Sequence, residues 1–267
     1  MSAIQPVLFL SHGSPMTAFG GDELNRSWVR LAQRLSRPAA ILMVSAHWTT
    51  RLPVVSGARQ PETIHDFGGF LADLYALRYP APGNPALAQR IKQQLSDAGI
   101  ATGIDASQGL DHGAWVPLRV LFPDADIPVL QLSVQPERCA RHHYALGAAL
   151  APLARENVLI IGSGHLTHNL MDYMRPSGER PAADTRAFRD WVHARLLDGS
   201  AEASDELLDW QQAAPAARFA HPTPEHFLPL FVALGAAGEN RRVEWLGGGW
   251  VEDAIAADNY LLSQVNG

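Results

Sequence analysis

Val7-Leu8-Phe9-Leu10 runs directly into Ser11-His12-Gly13-Ser14-Pro15, and this passage decides how the chain is read. Four consecutive apolar residues ending in a turn of small residues predict a strand covered on both faces. A strand with one wet face would alternate instead. The pattern recurs twice. Ile41-Leu42-Met43-Val44 leads into Ser45-Ala46-His47-Trp48, and Val158-Leu159-Ile160-Ile161 leads into Gly162-Ser163-Gly164-His165-Leu166-Thr167-His168. Ile127 to Val134 is a fourth strand candidate, and Val54-Val55 and Val243 to Leu246 are short ones. Pro53 suits a strand start or an edge. Tyr260-Leu261-Leu262 is compatible with strand or helix.

Helical patterns fill the intervals: Asp22 to Leu35, Asn84 to Ala98, Glu137 to Ala154, Thr185 to Leu197 and Asp205 to Gln212. The second is the best marked, with Asn84 as cap, Pro85 at the first helical position and Gly99 at the end. Thr223-Pro224 predicts a last helix running to about Leu234 and stopping at Gly235. Strand–helix alternation predicts an α/β three-layer sandwich, with a mainly parallel central sheet and helices on both faces. There is no internal repeat, and Pro176 to Ala183 reads as a surface loop, so residues 1–267 read as one domain.

The formal charge of −6 is spread without long runs of one sign. That excludes the basic face of a nucleic-acid binder and gives no attraction to an anionic membrane surface. A single cysteine, Cys139, cannot form an intramolecular disulfide. With no signal-like pattern in Met1 to Pro6, a cytoplasmic setting is expected. The apolar runs are too short to span a bilayer.

The informative residues are the histidines at strand ends. Ligand crevices of open α/β sheets lie beyond the carboxyl ends of the strands, so His12, His47 and the His165–His168 turn are expected to converge. His112 follows in Asp111-His112-Gly113, a loop before a helix or strand. With Thr223 as cap, His226 falls in the first turn of the last helix. His65-Asp66-Phe67-Gly68-Gly69 reads as a flap beside the site. Neutral imidazole suits zinc and ferrous iron, and three ligands on one face leave positions open for substrate and oxygen. Histidines near such an ion but not bound to it can move protons near neutral pH. Most single histidines are structural, and His142, His143 and His193, on predicted helices, are read that way. Gly162-Ser163-Gly164 lacks the order of a nucleophile elbow, and Gly247-Gly248-Gly249 lacks the context of a dinucleotide fingerprint.

Taken in order, these segments resemble the class III extradiol ring-cleavage dioxygenases, in the DOPA-dioxygenase branch of the LigB-like superfamily. The matching motifs are Ser11-His12-Gly13-Ser14-Pro15-Met16, Ser45-Ala46-His47-Trp48, Thr63 through Phe70, Asp111-His112-Gly113, Gly162 through Leu170, and Pro222-Thr223-Pro224-Glu225-His226. The resemblance implies metal ligands at His12, His47 and His226, with Fe(II) expected for activity and Zn(II) able to occupy the same site. It implies a catalytic acid–base at His168 and a second catalytic histidine at His112. His65 lies in a motif of the branch and is expected to bind substrate. Trp48, Phe67 and Tyr173 are candidates for an aromatic pocket. The implied partners are a small aromatic diol and dioxygen, and the implied product is a muconic semialdehyde. Broader superfamily members use two histidines and a glutamate. Here His226 takes the carboxylate's place, and Glu225 is the alternative. His165 is read as local packing or support for the centre, not as a ligand. Two rival readings remain: a zinc hydrolase using Glu225 as base, and a non-catalytic binding protein of the same superfamily.

Overall fold

The computed structural model describes residues 4–176 and 178–264. Its strands are β1 (Val7–Ser11), β2 (Ala40–Ser45), β3 (Val54–Ser56), β4 (Gly103–Asp105), β5 (Val129–Gln131), β6 (Val158–Gly164), β7 (Arg241–Trp245), β8 (Trp250–Val251), β9 (Ile255–Ala256) and β10 (Tyr260–Gln264). The central sheet has the order β5-β2-β6-β1-β10-β7. β5, β2, β6 and β1 run parallel, and β10 is antiparallel to both of its neighbours. The ambiguous Tyr260 segment is therefore a strand, inserted between β1 and the outer strand β7.

β1, β2 and β6 are buried over their whole length, which is why their sequences do not alternate. Alternate residues serve two separate cores. Val7, Phe9, Leu42, Val44 and Ile160 pack with the helices Pro85–Asp97, Ala140–Leu150, Ala183–Asp198 and Leu228–Ala237. Leu8, Leu10, Ile41, Met43 and Ile161 pack on the other face with the helices Glu23–Ala32 and His112–Leu121. This is the expected three-layer arrangement.

Local signals set most helix boundaries. Asn84 accepts from the Leu87 amide and Asp22 from the Asn25 amide. The expected helix over Glu137 to Ala154 breaks into Ala140–Leu150 and Pro152–Arg155, because Pro152 has no amide proton to continue the ladder. The expected Asp205 to Gln212 helix is likewise two, Ala201–Leu208 and Trp210–Ala213. β3 leaves the central sheet to pair in parallel with β4, a strand the sequence pattern does not announce.

The last helix corrects the sequence reading at both ends. It starts at Leu228, not Thr223, and passes through Gly235 to end at Gly238. Thr223 caps nothing; its hydroxyl donates to the Glu225 carboxylate at 2.8 Å. Gly235 is kept because the neighbouring helix crosses there: a Cβ would lie 2.0 Å from the Tyr144 carbonyl oxygen. Among the described residues, no helix is long and apolar enough to cross a membrane.

Candidate metal centre

β2, β6 and β1 are neighbours in the sheet, so their carboxyl ends deliver His47, the His165–His168 turn and His12 to one place. Backbone bonds pin the turns to β6. The His12 amide donates to the Gly164 carbonyl at 3.2 Å and the Ala46 amide to the Ser163 carbonyl at 3.0 Å. The fourth segment arrives against the same strand end. The His165 amide donates to the His226 carbonyl at 2.8 Å, and a Cβ on Gly164 would lie 2.1 Å from that oxygen. Gly164 is thus the close-approach point that seats His226. His226 itself lies in the turn before the last helix rather than in its first turn.

Three ring nitrogens converge. His47 Nε2 is 3.0 Å from His12 Nε2 and 3.3 Å from His226 Nε2. Metal–imidazole bonds are about 2.1 Å, so two donors at a right angle sit about 3.0 Å apart and two at a tetrahedral angle about 3.4 Å apart. The observed spacings fit donors that share one ion, and His12, His47 and His226 together form a group able to hold a metal.

The opposite ring nitrogens show which tautomers are present. His12 Nδ1 is 3.1 Å from Ser163 Oγ, and that hydroxyl donates to the Gly113 carbonyl. A hydroxyl that has given away its proton accepts, so His12 carries hydrogen on Nδ1 and turns the Nε2 lone pair inward. His226 Nδ1 is 3.2 Å from Glu225 Oε1, and His47 Nδ1 is 3.4 Å from Asp66 Oδ2. Burial, and then the neighbouring imidazoles, push all three pKa values down and keep these rings neutral, the form that binds metals.

The other predicted residues surround this trio. His168 stacks on His226 with ring centres 3.4 Å apart and planes 7° from parallel; burial lowers its pKa to about 4. His112 begins the helix His112–Leu121, capped by Asp111, and its ring centre is 3.9 Å from that of His47. His165 stands 4.5 Å from His12 between ring centres, and its buried Nδ1 has no hydrogen-bond partner. Phe67 places its ring edge-on to His112 at 5.6 Å. His65 sits one step further out, hydrogen-bonded to the Leu77 carbonyl at 3.1 Å and ringed by Phe67, Tyr75 and Trp115. Trp48, next to His47 in the chain, is buried, and its carbonyl accepts from the Val134 amide. The Tyr173 side chain lies outside the described residues.

Sequence reading passed over the residues that hold the histidines. Asp66 accepts from both the amide and Nδ1 of His112, at 2.9 and 3.0 Å. Burial raises its carboxyl, but the bonds from His112 outweigh this and hold it below the ordinary range. Asp111 accepts from the Ser45 hydroxyl at 2.6 Å, and Ser45 Oγ accepts from the His47 amide at 3.2 Å. Burial pushes the Asp111 carboxyl up to about 6. Only the position of these residues beside histidines, within otherwise anonymous loops, marked them.

Comparison with known proteins gives the arrangement a family. Residues 6–263 match the model for the catalytic LigB subunit of aromatic ring-opening dioxygenase. The chain is 45% identical over 264 residues to the 4,5-DOPA dioxygenase extradiol of Beta vulgaris, covering 97% of each protein. It is 40% identical over 235 residues to the Escherichia coli K12 protein of the same name, covering 88% of this chain and 86% of that one. An uncharacterized Escherichia coli K12 protein of known crystal structure superposes with a TM-score of 0.81 at 33% identity, over 96% of this chain and 99% of that one. With a sheet that gathers imidazoles at the carboxyl ends of its central strands and a family match spanning nearly every residue, the chain belongs to the LigB family of aromatic ring-opening dioxygenases.

Proposed function

We propose that His12, His47 and His226 hold one Fe(II) ion, and that the enzyme opens a 3,4-dihydroxyphenyl ring of the DOPA type beside its diol to give a muconic semialdehyde. The carrying observation is the trio of inward lone pairs at 3.0 and 3.3 Å, each ring faced at Nδ1 by Ser163, Asp66 or Glu225. An all-imidazole set accepts zinc as well as iron, but only iron changes oxidation state with dioxygen. When bound, the ion supplies a Lewis acid that lowers the pKa of the catechol hydroxyls and a redox partner for dioxygen.

The chain's own residues then manage protons and position. His168, neutral near pH 7 through burial, takes a proton from a catechol hydroxyl and later returns it to the oxygen that leaves as the ring opens. Its stacking on His226 keeps it beside the reacting diol. His112 presents Nε2 as a second acceptor, because Asp66 occupies its Nδ1 proton. Phe67 offers a ring face or edge to the substrate ring, and His65 anchors the flap that carries Phe67. Glu225 is engaged by His226 Nδ1 and the Thr223 hydroxyl, which supports histidine rather than glutamate as the third ligand. The same engagement counts against Glu225 as the free base a zinc hydrolase would need.

The test is anaerobic loading with Fe(II), then an oxygen-electrode screen against DOPA, protocatechuate, caffeate and catechol. The expected result is stoichiometric oxygen uptake and a yellow product with at least one of them, and none from zinc-loaded protein. Fully iron-loaded protein that consumes no oxygen with any of the panel would overturn the reading.

A further inference from the structure

We infer that Asp66 is a positioning residue that sets the tautomer of His112 and joins it to the metal ligand His47, so that the flap must be docked for the centre to be complete. This rests on reading the histidine cluster as the reaction centre. The carboxylate is used at both oxygens. Oδ1 accepts the His112 amide at 2.9 Å; Oδ2 accepts His112 Nδ1 at 3.0 Å and lies 3.4 Å from His47 Nδ1. The His112 amide is one that a helix start leaves without an internal partner, and the helix end favours negative charge there. Two donors of one residue point at one carboxylate from separate directions. Hence His112 carries hydrogen at Nδ1, and its Nε2 lone pair is free to take a proton. A cation bound by His47, Asp66 and His112 through Oδ2 would have to replace the His112 Nδ1 proton that this oxygen accepts, whereas the amide bond at Oδ1 would stay, so we read the group as a hydrogen-bonded clamp.

Asp66 comes from a different part of the chain than the residues it joins. It lies in the flap, which is registered against the body by the Ile64 amide on the Leu110 carbonyl at 2.8 Å and by Trp115 Nε1 on the Ile64 carbonyl at 2.9 Å. Directly after it come Phe67, whose ring contacts His112, and the glycine pair Gly68-Gly69, where an added Cβ would meet nothing within 4 Å. The flap therefore brings an aromatic wall and a tautomer-setting carboxylate together. Lifting it would leave His47 and His112 without that acceptor and remove the wall at the same time.

Asparagine at this position separates clamp from spacer. It has the same shape, but one end accepts and the other donates. If its oxygen keeps the His112 amide, its NH2 group faces His112 Nδ1 and selects the opposite tautomer, with hydrogen on Nε2. Asp66→Asn should therefore fold and bind metal with affinity lowered about 10-fold, while kcat falls about 100-fold with KM little changed. Asp66→Glu, which restores the charge one methylene further out, should recover part of the loss.

A second readout is independent of turnover. In zinc-loaded protein labelled with 15N-histidine, the His112 ring, assigned by its loss in His112→Gln, should show hydrogen on Nδ1 in the native chain and on Nε2 in Asp66→Asn. An unchanged tautomer, or Asp66→Asn activity within about threefold of native, overturns the inference. If the native iron enzyme opens no ring, the functional reading fails instead, and the tautomer comparison still decides the role of Asp66.

Discussion

The seam between the helices Ala140–Leu150 and Leu228–Ala237 and the histidine cluster at the start of the latter are only a few residues apart, yet they use burial in opposite ways. In the seam every residue from Leu228 to Ala237 is buried, and none is polar. The backbones approach so closely that a Cβ on Gly147 would lie 2.0 Å from the Val232 carbonyl, matching the contact of Gly235 with Tyr144. Burial there is favourable throughout, and close packing adds dispersion. In the cluster, the buried imidazoles of His12 and His226 and the half-buried one of His47 turn lone pairs toward one another at 3.0 and 3.3 Å, an arrangement that costs free energy unless an ion or proton sits between them. The seam and the sheet hold that arrangement in place. Stability and function are thus assigned to adjoining stretches, the usual compromise at functional sites.

The largest effect should come from within the cluster. His168→Ala is expected to keep stoichiometric iron but lose about 10²- to 10⁴-fold in kcat, whereas His12→Ala should lose the iron itself; metal analysis beside oxygen uptake separates them. Swapped outcomes would reverse the roles assigned to the two residues.

Breaking the seam should do the reverse. Gly147→Ala forces a methyl against the Val232 carbonyl and should lower stability by about 1–3 kcal/mol, read from the urea midpoint of metal-free protein. The fraction that remains folded should bind iron as the native chain does. Gly164→Ala tests the junction, because its new Cβ would meet the carbonyl of His226 itself. It should weaken iron binding about 10-fold as well as lower the urea midpoint. Iron affinity unchanged by Gly164→Ala would show that His226 is seated by something other than this contact.

The smallest effect concerns a buried histidine outside the cluster. His143 Nδ1 donates to the Cys139 carbonyl at 3.0 Å, and its Nε2 accepts from the Gln135 amide at 3.1 Å, so protonation would leave that amide without an acceptor. Burial lowers its pKa to about 4. Since the unfolded chain protonates this ring more readily, its contribution is complete above the unfolded value and is lost as pH falls from about 6.5 toward 4. Between pH 7 and 5.5 the loss should be about 1 kcal/mol, and His143→Gln should flatten the pH dependence of the urea midpoint by that amount.

Much of this was legible in the chain alone. Runs such as Val158 to Ile161 announced strands buried on both sides, and histidines placed just after them announced convergence, because a parallel sheet aligns strand ends. Asn84 and Asp22 marked helix starts through chemistry that acts over three residues. What stayed hidden depends on neighbours distant in sequence. Gly235 looked like a stop signal but is a helix-crossing residue, and only the facing helix shows it. Thr223 looked like a cap, yet its hydroxyl is taken by Glu225. Tyr260 to Leu262 carried no periodicity that could separate strand from helix; pairing with β1 decided the matter. Asp66 was legible as part of the flap beside the site, but no role was visible for it, since an acid in a loop acquires meaning only from what it touches.

The insertion of β10 beside β1 carries a consequence for how the enzyme comes into being. The Ser11 amide donates to Asn259 Oδ1 at 3.0 Å across 248 positions, and Ser11 Oγ donates to the Asp258 carbonyl at 2.9 Å. The residue that precedes His12 is thus braced by a segment made 248 positions later. At ordinary translation speeds the brace follows about 10–50 s later. An emerging chain displays His12 long before this support exists, so a metal held as proposed would be bound in its final setting only after Asn259 has been made.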